Sequence, residues 1–225
     1  MKICKLVSCT ILMAACLNPT LALAHGEGDI ILRAGPALVD PDDNNNKVNI
    51  GGMPTDFTVS VDDDTQLGLT ATYMLSDHIG IGLLASTPFK HTVSLENAGG
   101  LNGDIVETKH LPPTLTLQYF FASPSSAFQP YAGIGINYTY FFDEKAKSSA
   151  LKDAVNTRNV KIDDSLGFAF EAGFDYMFDE KWMLNAAVWY LDLDTDASIT
   201  SDLGEITSDV SIDPFVYMIG LGYKF

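Results

Sequence analysis

The last eleven residues constrain the fold more than any other part of the chain. Every second side chain from Phe215 to Phe225 is apolar or aromatic, while the positions between them carry Val, Met, Gly and Lys. Side chains alternate between the two faces of a strand, so this segment has one continuous apolar face. In a transmembrane β-barrel such a face meets lipid, and aromatic residues mark the membrane interfaces. The segment therefore predicts a membrane-spanning strand with an aromatic carboxy-terminus.

The N-terminus has the composition of a secretory signal peptide. Two lysines precede a short apolar run, and Ala22-Leu23-Ala24 supplies the small residues of a cleavage site. The run is shorter than the roughly 20 residues that a membrane-spanning helix needs. A rival interpretation places cleavage before Cys16, as in a lipoprotein, although the residues before it match that site poorly. We expect residues 1–24 to be removed and residues 25–225 to form a single outer-membrane barrel domain.

Composition narrows the class of protein further. The three cysteines, Cys4, Cys9 and Cys16, all lie in the predicted leader, so the remaining chain uses no disulfides in an oxidising compartment. With the two leader lysines gone, 11 of the 13 basic side chains remain against 29 acidic ones. This balance excludes nucleic acid as an expected partner, because phosphates require Lys and Arg.

Eight segments show strand-like alternation or dense aromatic and β-branched content. They cover residues 29–40, 65–76, 78–92, 109–121, 129–142, 165–178, 182–194 and 211–225. Long polar connections (41–64, 93–108, 143–164 and 195–210) alternate with short ones. An even number of strands with short periplasmic turns and long outer loops is typical of bacterial barrels. The sequence thus predicts an all-β fold, an eight-stranded antiparallel transmembrane β-barrel in the outer membrane of a Gram-negative bacterium.

Alternation also assigns the two faces of the predicted wall. Glu171 and Asp175 lie on the less apolar face of their strand. Carboxylates are costly at lipid depth, so both should point inward. A soluble barrel of the lipocalin kind would place its polar residues outside. In nearly every predicted strand one face is almost entirely apolar and the ionic groups lie on the other face, which favours the membrane interpretation.

Seven short motifs occur in order along the chain. They are Leu32-Arg33-Ala34-Gly35, Thr65-Gln66-Leu67-Gly68-Leu69-Thr70, Ala85-Ser86-Thr87-Pro88-Phe89, His110-Leu111-Pro112-Pro113-Thr114, Pro130-Tyr131-Ala132-Gly133, Gly135-Ile136-Asn137-Tyr138-Thr139 and Val188-Trp189-Tyr190-Leu191-Asp192. Together they resemble the OmpW family of small outer-membrane proteins, which includes the AlkL alkane-uptake proteins. The resemblance covers the chain from about Gly28 to Phe225. It implies a narrow, largely apolar barrel that carries small hydrophobic molecules and releases them sideways into the bilayer.

The same resemblance implies a constriction formed by a leucine and a tryptophan, whose contexts match Leu84 and Trp189. Alternation independently turns both side chains inward among Gly and Ala. Two interpretations stay open on the residues alone, since an eight-stranded interior is narrow enough to be filled by side chains. Leu84 and Trp189 either fill the core or form a channel gate, and the resemblance favours the gate.

Three prolines mark a second candidate site. Pro88, Pro112 and Pro113 lie in segments that otherwise predict membrane strands, and a proline cannot donate to a ladder. If the two strands pair across a loop centred on Gly99-Gly100, Pro88 lies opposite Pro113, and His91 opposite His110. The missing donors then produce either a lateral opening in the wall or a bulge that only bends the strand.

Catalytic, metal and cofactor sites are not predicted. His91 and His110 have no fixed third ligand, whereas a catalytic zinc needs three, so we expect them to be polar residues of the outer rim. The chain lacks the Gly-x-Ser-x-Gly and His-Glu-x-x-His motifs, which argues against an enzyme. The acidic runs at 62–64 and 192–196 predict a solvated rim, because they lack the glycine and distal glutamate of a calcium loop.

Two functions remain from this reading. The first is a passive channel whose partners are small apolar solutes, outer-membrane lipid and lipopolysaccharide, with the chain acting as a monomer. The alternative is a filled, non-conducting structural or receptor barrel whose acidic loops contact lipopolysaccharide or surface partners.

Overall fold

A computed structural model describes residues 24–42, 47–147, 150–202 and 204–225. The predicted leader and its three cysteines lie outside the described residues, apart from Ala24. No helix in the described ranges is long and apolar enough to cross a membrane. The helical content there is limited to α1 (Ala150–Val155) and one turn of 3₁₀ helix (Gly99–Leu101).

Eight antiparallel strands close into a barrel, as predicted. They are β1 (Ile30–Asp40), β4 (Asp64–Met74), β5 (Ile79–Ser86), β8 (Thr114–Phe120), β9 (Phe128–Ala146), β11 (Ser165–Met177), β12 (Trp182–Leu191) and β15 (Phe215–Lys224). Their order around the wall is β9-β11-β12-β15-β1-β4-β5-β8, and β8 pairs with β9 to complete the circle. The N-terminal strand therefore pairs with the C-terminal strand, with Leu32 opposite Tyr223. Closure leaves the barrel without an unpaired edge strand, as the bilayer core requires.

The predicted faces are confirmed by exposure. Phe168 and Ile134 are exposed on the outside by 67% and 63%, whereas Glu171 and Asp175 are buried inside the barrel. Short connections at one end join β4 to β5 and β11 to β12. Aromatic side chains such as Trp182 and Phe225 lie exposed near this end, which is the periplasmic one.

The long outer connections contain strands of their own. These are β2 (Lys47–Ile50), β3 (Met53–Val61), β6 (Phe89–Glu96), β7 (Gly103–Leu111), β10 (Arg158–Ile162), β13 (Asp194–Ser201) and β14 (Gly204–Ser211). With the upper part of β9 they form an extracellular sheet above the barrel, in the order β10-β13-β14-β2-β3-β6-β7-β9. The predicted single strands 78–92 and 109–121 are each divided, at residues 87–88 and 112–113, because these positions contain the prolines.

Two separate apolar clusters fill the molecule. The barrel cluster includes Met74, Leu84, Phe89, Trp189 and Met218. The extracellular cluster is built from Val and Ile side chains, such as Val59, Val106 and Ile199, which also line an apolar cavity. The extracellular sheet thus has a core of its own.

Candidate functional site

Leu84 and Trp189 face each other across the barrel interior. Both side chains are buried and belong to the barrel cluster. Leu84 lies on β5 and Trp189 on β12, and three strands separate these two along either direction of the wall. Two large apolar side chains on opposite walls narrow the interior from both sides.

A charged network lies in the interior on the periplasmic side. Arg33 Nε donates to Asp175 Oδ1 at 2.8 Å, and its Nη2 donates to Asp175 Oδ2. His25 Nε2 lies 2.9 Å from the same carboxylate, and Asn185 Nδ2 donates to it at 2.9 Å. Arg33, His25 and Asp175 are all completely or almost completely buried. Buried charges are tolerated when they are paired and fully hydrogen-bonded, which this arrangement achieves for Asp175.

The network continues around the lumen. Arg33 Nη1 donates to Thr72 Oγ1 (2.8 Å), which donates to Gln118 Oε1 (3.0 Å). Gln118 Nε2 then donates to Glu171 Oε2 at 2.9 Å. These residues belong to β1, β4, β8 and β11, so the chain of hydrogen bonds links opposite parts of the wall. We call this set, together with Asp175 and His25, the polar floor; it crosses the barrel interior from β1 to β11.

The three prolines lie at one break in the wall, between β5–β6 and β7–β8. Below the break Leu84 pairs with Thr114, and above it Phe89 pairs with His110. Between these two pairs, residues 85–88 and 111–113 do not pair with each other, although Ser86 still pairs with β4 and Leu111 with β9. Pro88 and Pro113 are exposed on the outside, whereas Pro112 is buried.

The predicted register across this break was wrong by about two residues. His91 pairs with Thr108, and Phe89 is the residue opposite His110. The turn is centred nearer Gly99 than predicted, and a bulge between Val93 and Ser94 changes the register along the hairpin. Pro88 and Pro113 are therefore offset along the break and do not face each other directly.

His91 and His110, predicted to be polar residues of the outer rim, have buried side chains. They are exposed by only 3% and 5%, and their rings stack at 4.9 Å as diagonal neighbours. Phe89 and Phe141 both pack against the His110 ring, at 5.5 and 5.6 Å. Burial, and then the neighbouring His91, lower the pKa of His110 to about 3. The ring stack begins the extracellular section immediately above the break.

Side chains close a second gap, between β4 and β6. The β4–β5 ladder ends at Gly68 opposite Ser86, and the β3–β6 ladder begins at Val61 opposite Val93. The acidic run that was predicted to be a solvated rim lies between these pairs. The Lys90 amide donates to Asp64 Oδ2 at 2.8 Å.

Further bonds of the same kind complete this closure. The amide of Thr92 donates to Asp62 Oδ1 at 2.5 Å, and Thr87 Oγ1 donates to Gln66 Oε1 at 3.0 Å. Sequence reasoning missed these structural roles, because an acidic run carries no sign of which backbone amides it will meet.

Several charged pairs lie on the surface of the extracellular sheet. Lys145 and Lys109 both contact Asp143, at 2.6 and 2.9 Å, and their hydrogen bonds lower the pKa of its carboxyl to about 2. Lys90 similarly lowers the pKa of Glu107. These pairs are partly exposed, so each contributes little to stability by itself.

Comparisons with known proteins were made on the sequence and on the fold. A family model described as the OmpW family matches residues 26–225. Outer membrane protein W of Vibrio cholerae is 44% identical over 222 residues, which span 98% of this chain and 100% of that protein. The crystal structure of OprG from Pseudomonas aeruginosa is 46% identical with a TM-score of 0.85, and the match covers 90% of this chain and 98% of that one.

A more distant relative is outer membrane protein AlkL of Ectopseudomonas oleovorans. It is 26% identical over 209 residues, which span 92% of this chain and 86% of that protein. A solid-state NMR structure of outer membrane protein AlkL in DMPC lipid bilayers is 26% identical with a TM-score of 0.64, and the match covers 89% of this chain and 92% of that one.

Proposed function

Because this chain belongs to the OmpW family and is an outer-membrane barrel, we propose that it is a passive channel for small hydrophobic molecules that releases them sideways into the bilayer. The observation that carries this proposal is the wall break at the prolines, which lies beside the apolar barrel cluster and above the polar floor. An apolar solute that reaches Leu84 and Trp189 has the break in the wall beside Leu84 and the Arg33–Asp175 pair beneath it, while the Glu171 carboxylate lies opposite Trp189.

Partition supplies the driving force for such a route. A solute that leaves water for an apolar surface gains about 25 cal/mol for each Å² of apolar area that is buried. The extracellular cavity is lined by Val and Ile side chains, including Val59, Val160 and Ile199. The interior therefore offers apolar surface in the extracellular section and again at the barrel cluster, where Leu84 and Phe89 flank the break.

The polar floor is the reason for preferring a lateral exit. To pass along the axis, an apolar solute would have to separate Arg33 from Asp175. Breaking a buried ion pair by removing one partner costs about 3–5 kcal/mol, and an apolar solute offers no replacement hydrogen bonds. The bilayer beyond Pro88 and Pro113 offers the solute an apolar destination.

Liposome uptake tests the proposal directly. Purified barrel is reconstituted in vesicles, and a lipophilic dye that fluoresces only within the membrane is added outside, beside a hydrophilic sugar as the comparison solute. We expect faster appearance of the dye in the bilayer of protein-containing vesicles, with no change in sugar uptake. Dye rates equal to those of protein-free vesicles would contradict transport and favour the structural or receptor role.

A further inference from the structure

His25 has an unusual setting at the floor of the barrel. The residue is fully buried, its ring lies edge-on to Phe120 at 5.2 Å, and its Nε2 is 2.9 Å from Asp175 Oδ2. A carboxylate only accepts hydrogen bonds, so the shared proton is carried by Nε2. The other ring nitrogen, Nδ1, is buried and has no hydrogen-bond partner in the described chain. Its lone pair is therefore available, and an unsatisfied buried acceptor of this kind calls for an explanation.

The predicted cleavage after Ala24 would supply a second nitrogen donor on the same residue. Cleavage turns the backbone nitrogen of His25 into a free α-amino group. It also removes Ala24, which is fully buried beside this nitrogen and donates a hydrogen bond to the Pro124 carbonyl. The α-amino nitrogen and Nδ1 of one histidine can together close a six-membered chelate ring around a metal ion.

We propose that the mature chain binds one Cu²⁺ ion at the periplasmic end of the barrel, through the α-amino nitrogen and the Nδ1 atom of His25. Imidazole and amine nitrogens suit divalent copper, and affinity for such donors rises along the first-row metals to a maximum at Cu²⁺. The proposal rests on the predicted cleavage and is independent of the proposed transport.

Three carboxylates position His25 and the two residues that follow it. Asp175 holds the Nε2 proton, which is how ligating histidines are usually oriented from their second ring nitrogen. Asp29 and Asp77 fix the next backbone amides, since the Gly26 amide donates to Asp29 Oδ2 (2.8 Å) and the Glu27 amide donates to Asp77 Oδ1 (3.2 Å). The first residues of the mature chain are thus fixed by hydrogen bonds to three carboxylates, of which Asp175 is neutralised by Arg33 and Asp29 lies 3.5 Å from Lys224.

The α-amino group is essential to the proposed site. Within the described ranges, no group of three or more His, Cys, Asp and Glu side chains could hold a metal ion. Side chains alone therefore do not form this site.

The experiment uses the barrel purified from the outer membrane after export. Mass spectrometry of the intact protein first identifies its N-terminal residue, and a mature chain that begins at any residue other than His25 would overturn the proposal. Cu²⁺ is then titrated against a competing chelator, and electron paramagnetic resonance records whether nitrogen donors surround the ion. We expect one tight site whose spectrum shows two nitrogen ligands.

Three modified proteins separate this site from adventitious copper. His25→Gln keeps a donor for Asp175 but removes Nδ1, and it should weaken binding by more than the roughly 10–100-fold that loss of an outer-shell partner costs. Selective acetylation of the α-amino group, under conditions that leave lysines protonated, keeps the imidazole and should weaken binding similarly.

His78→Gln is the matched control, because the Nδ1 atom of His78 is already bonded to the Phe120 carbonyl at 2.8 Å. This variant should bind copper as the unmodified barrel does. Unchanged copper affinity in both the His25→Gln and the acetylated protein would place the bound ion elsewhere and overturn the proposal.

Discussion

The polar floor offers the sharpest test of how the interior is held together, through the substitution Arg33→Met. The change removes three hydrogen bonds, two to Asp175 and one to Thr72, from a position that is 2% exposed. Asp175 keeps Asn185 and His25 as neighbours but loses its arginine partner. Removal of one partner from a buried ion pair costs about 3–5 kcal/mol, and we expect a loss of that size in the free energy of unfolding.

Urea unfolding of the barrel in vesicles measures this loss, and the double variant Arg33→Met/Asp175→Leu is its control. Replacing both charges with apolar side chains is often neutral, so the double variant should recover most of the stability that the single variant loses. Ion conductance across a planar bilayer should rise in the single variant, while dye delivery to the membrane stays unchanged. A single variant that loses less than about 1 kcal/mol, or losses that simply add in the double variant, would refute the role assigned to the floor.

Three further changes probe the wall, the constriction and the extracellular section. Trp189→Ala should speed delivery of bulky apolar dyes, with a stability cost of about 3–5 kcal/mol from the cavity, once gel heat-modifiability shows a folded barrel. Pro88→Thr/Pro112→Thr/Pro113→Thr restores three backbone donors at the break, so it should slow dye delivery and raise the unfolding temperature. His110 takes up its proton near pH 3 when folded and near 6.5 when unfolded, so its contribution to stability is complete above pH 6.5 and is lost as pH falls towards 3. His110→Phe should therefore flatten the pH dependence of urea unfolding in that range.

Each of these changes has a matched control. Trp182 is exposed to lipid, so Trp182→Ala should leave dye delivery unchanged. Pro130 pairs within a continuous ladder opposite Phe174, and Pro130→Thr should not slow transport. His78 lies partly exposed in the periplasmic turn after β4, and His78→Phe should leave the acid sensitivity intact. A control that behaves like its partner variant would show that the effect is not specific to the proposed site.

The barrel could be predicted from sequence because lipid imposes a simple rule on its outer face. Residues such as Leu166 and Phe168 alternate with Gly167 and Ala169 over a whole strand, so a shift of one residue would expose the wrong set. The inward positions of Leu84 and Trp189 follow from the same rule. The ion pair between Arg33 and Asp175 could not be predicted in this way. The two residues are 142 positions apart, and alternation does not reveal which inward side chains come into contact across the lumen.

Features outside the membrane were harder to predict because no single solvent dictates their pattern. The extracellular strands are buried only in part, and β6 and β7 contain a bulge that sequence alternation does not reveal. His91 and His110 illustrate the consequence. They have the polarity of rim residues, yet their rings are buried and stack on each other, and Phe89 and Phe141 pack against His110.

The separate apolar core of the extracellular sheet has a consequence for how the molecule opens over time. This sheet has two edge strands, β10 and β9, with no ladder between them among the described residues. The barrel below is closed and has no edge strand. Water reaches the open ends freely, so backbone amides of β10 should exchange with deuterium early, followed by β13. Amides of the closed barrel have no such starting point and should remain protected far longer. The protein should therefore behave as two cooperative units, a durable ring in the membrane and a sheet above it that opens and recloses on its own timescale.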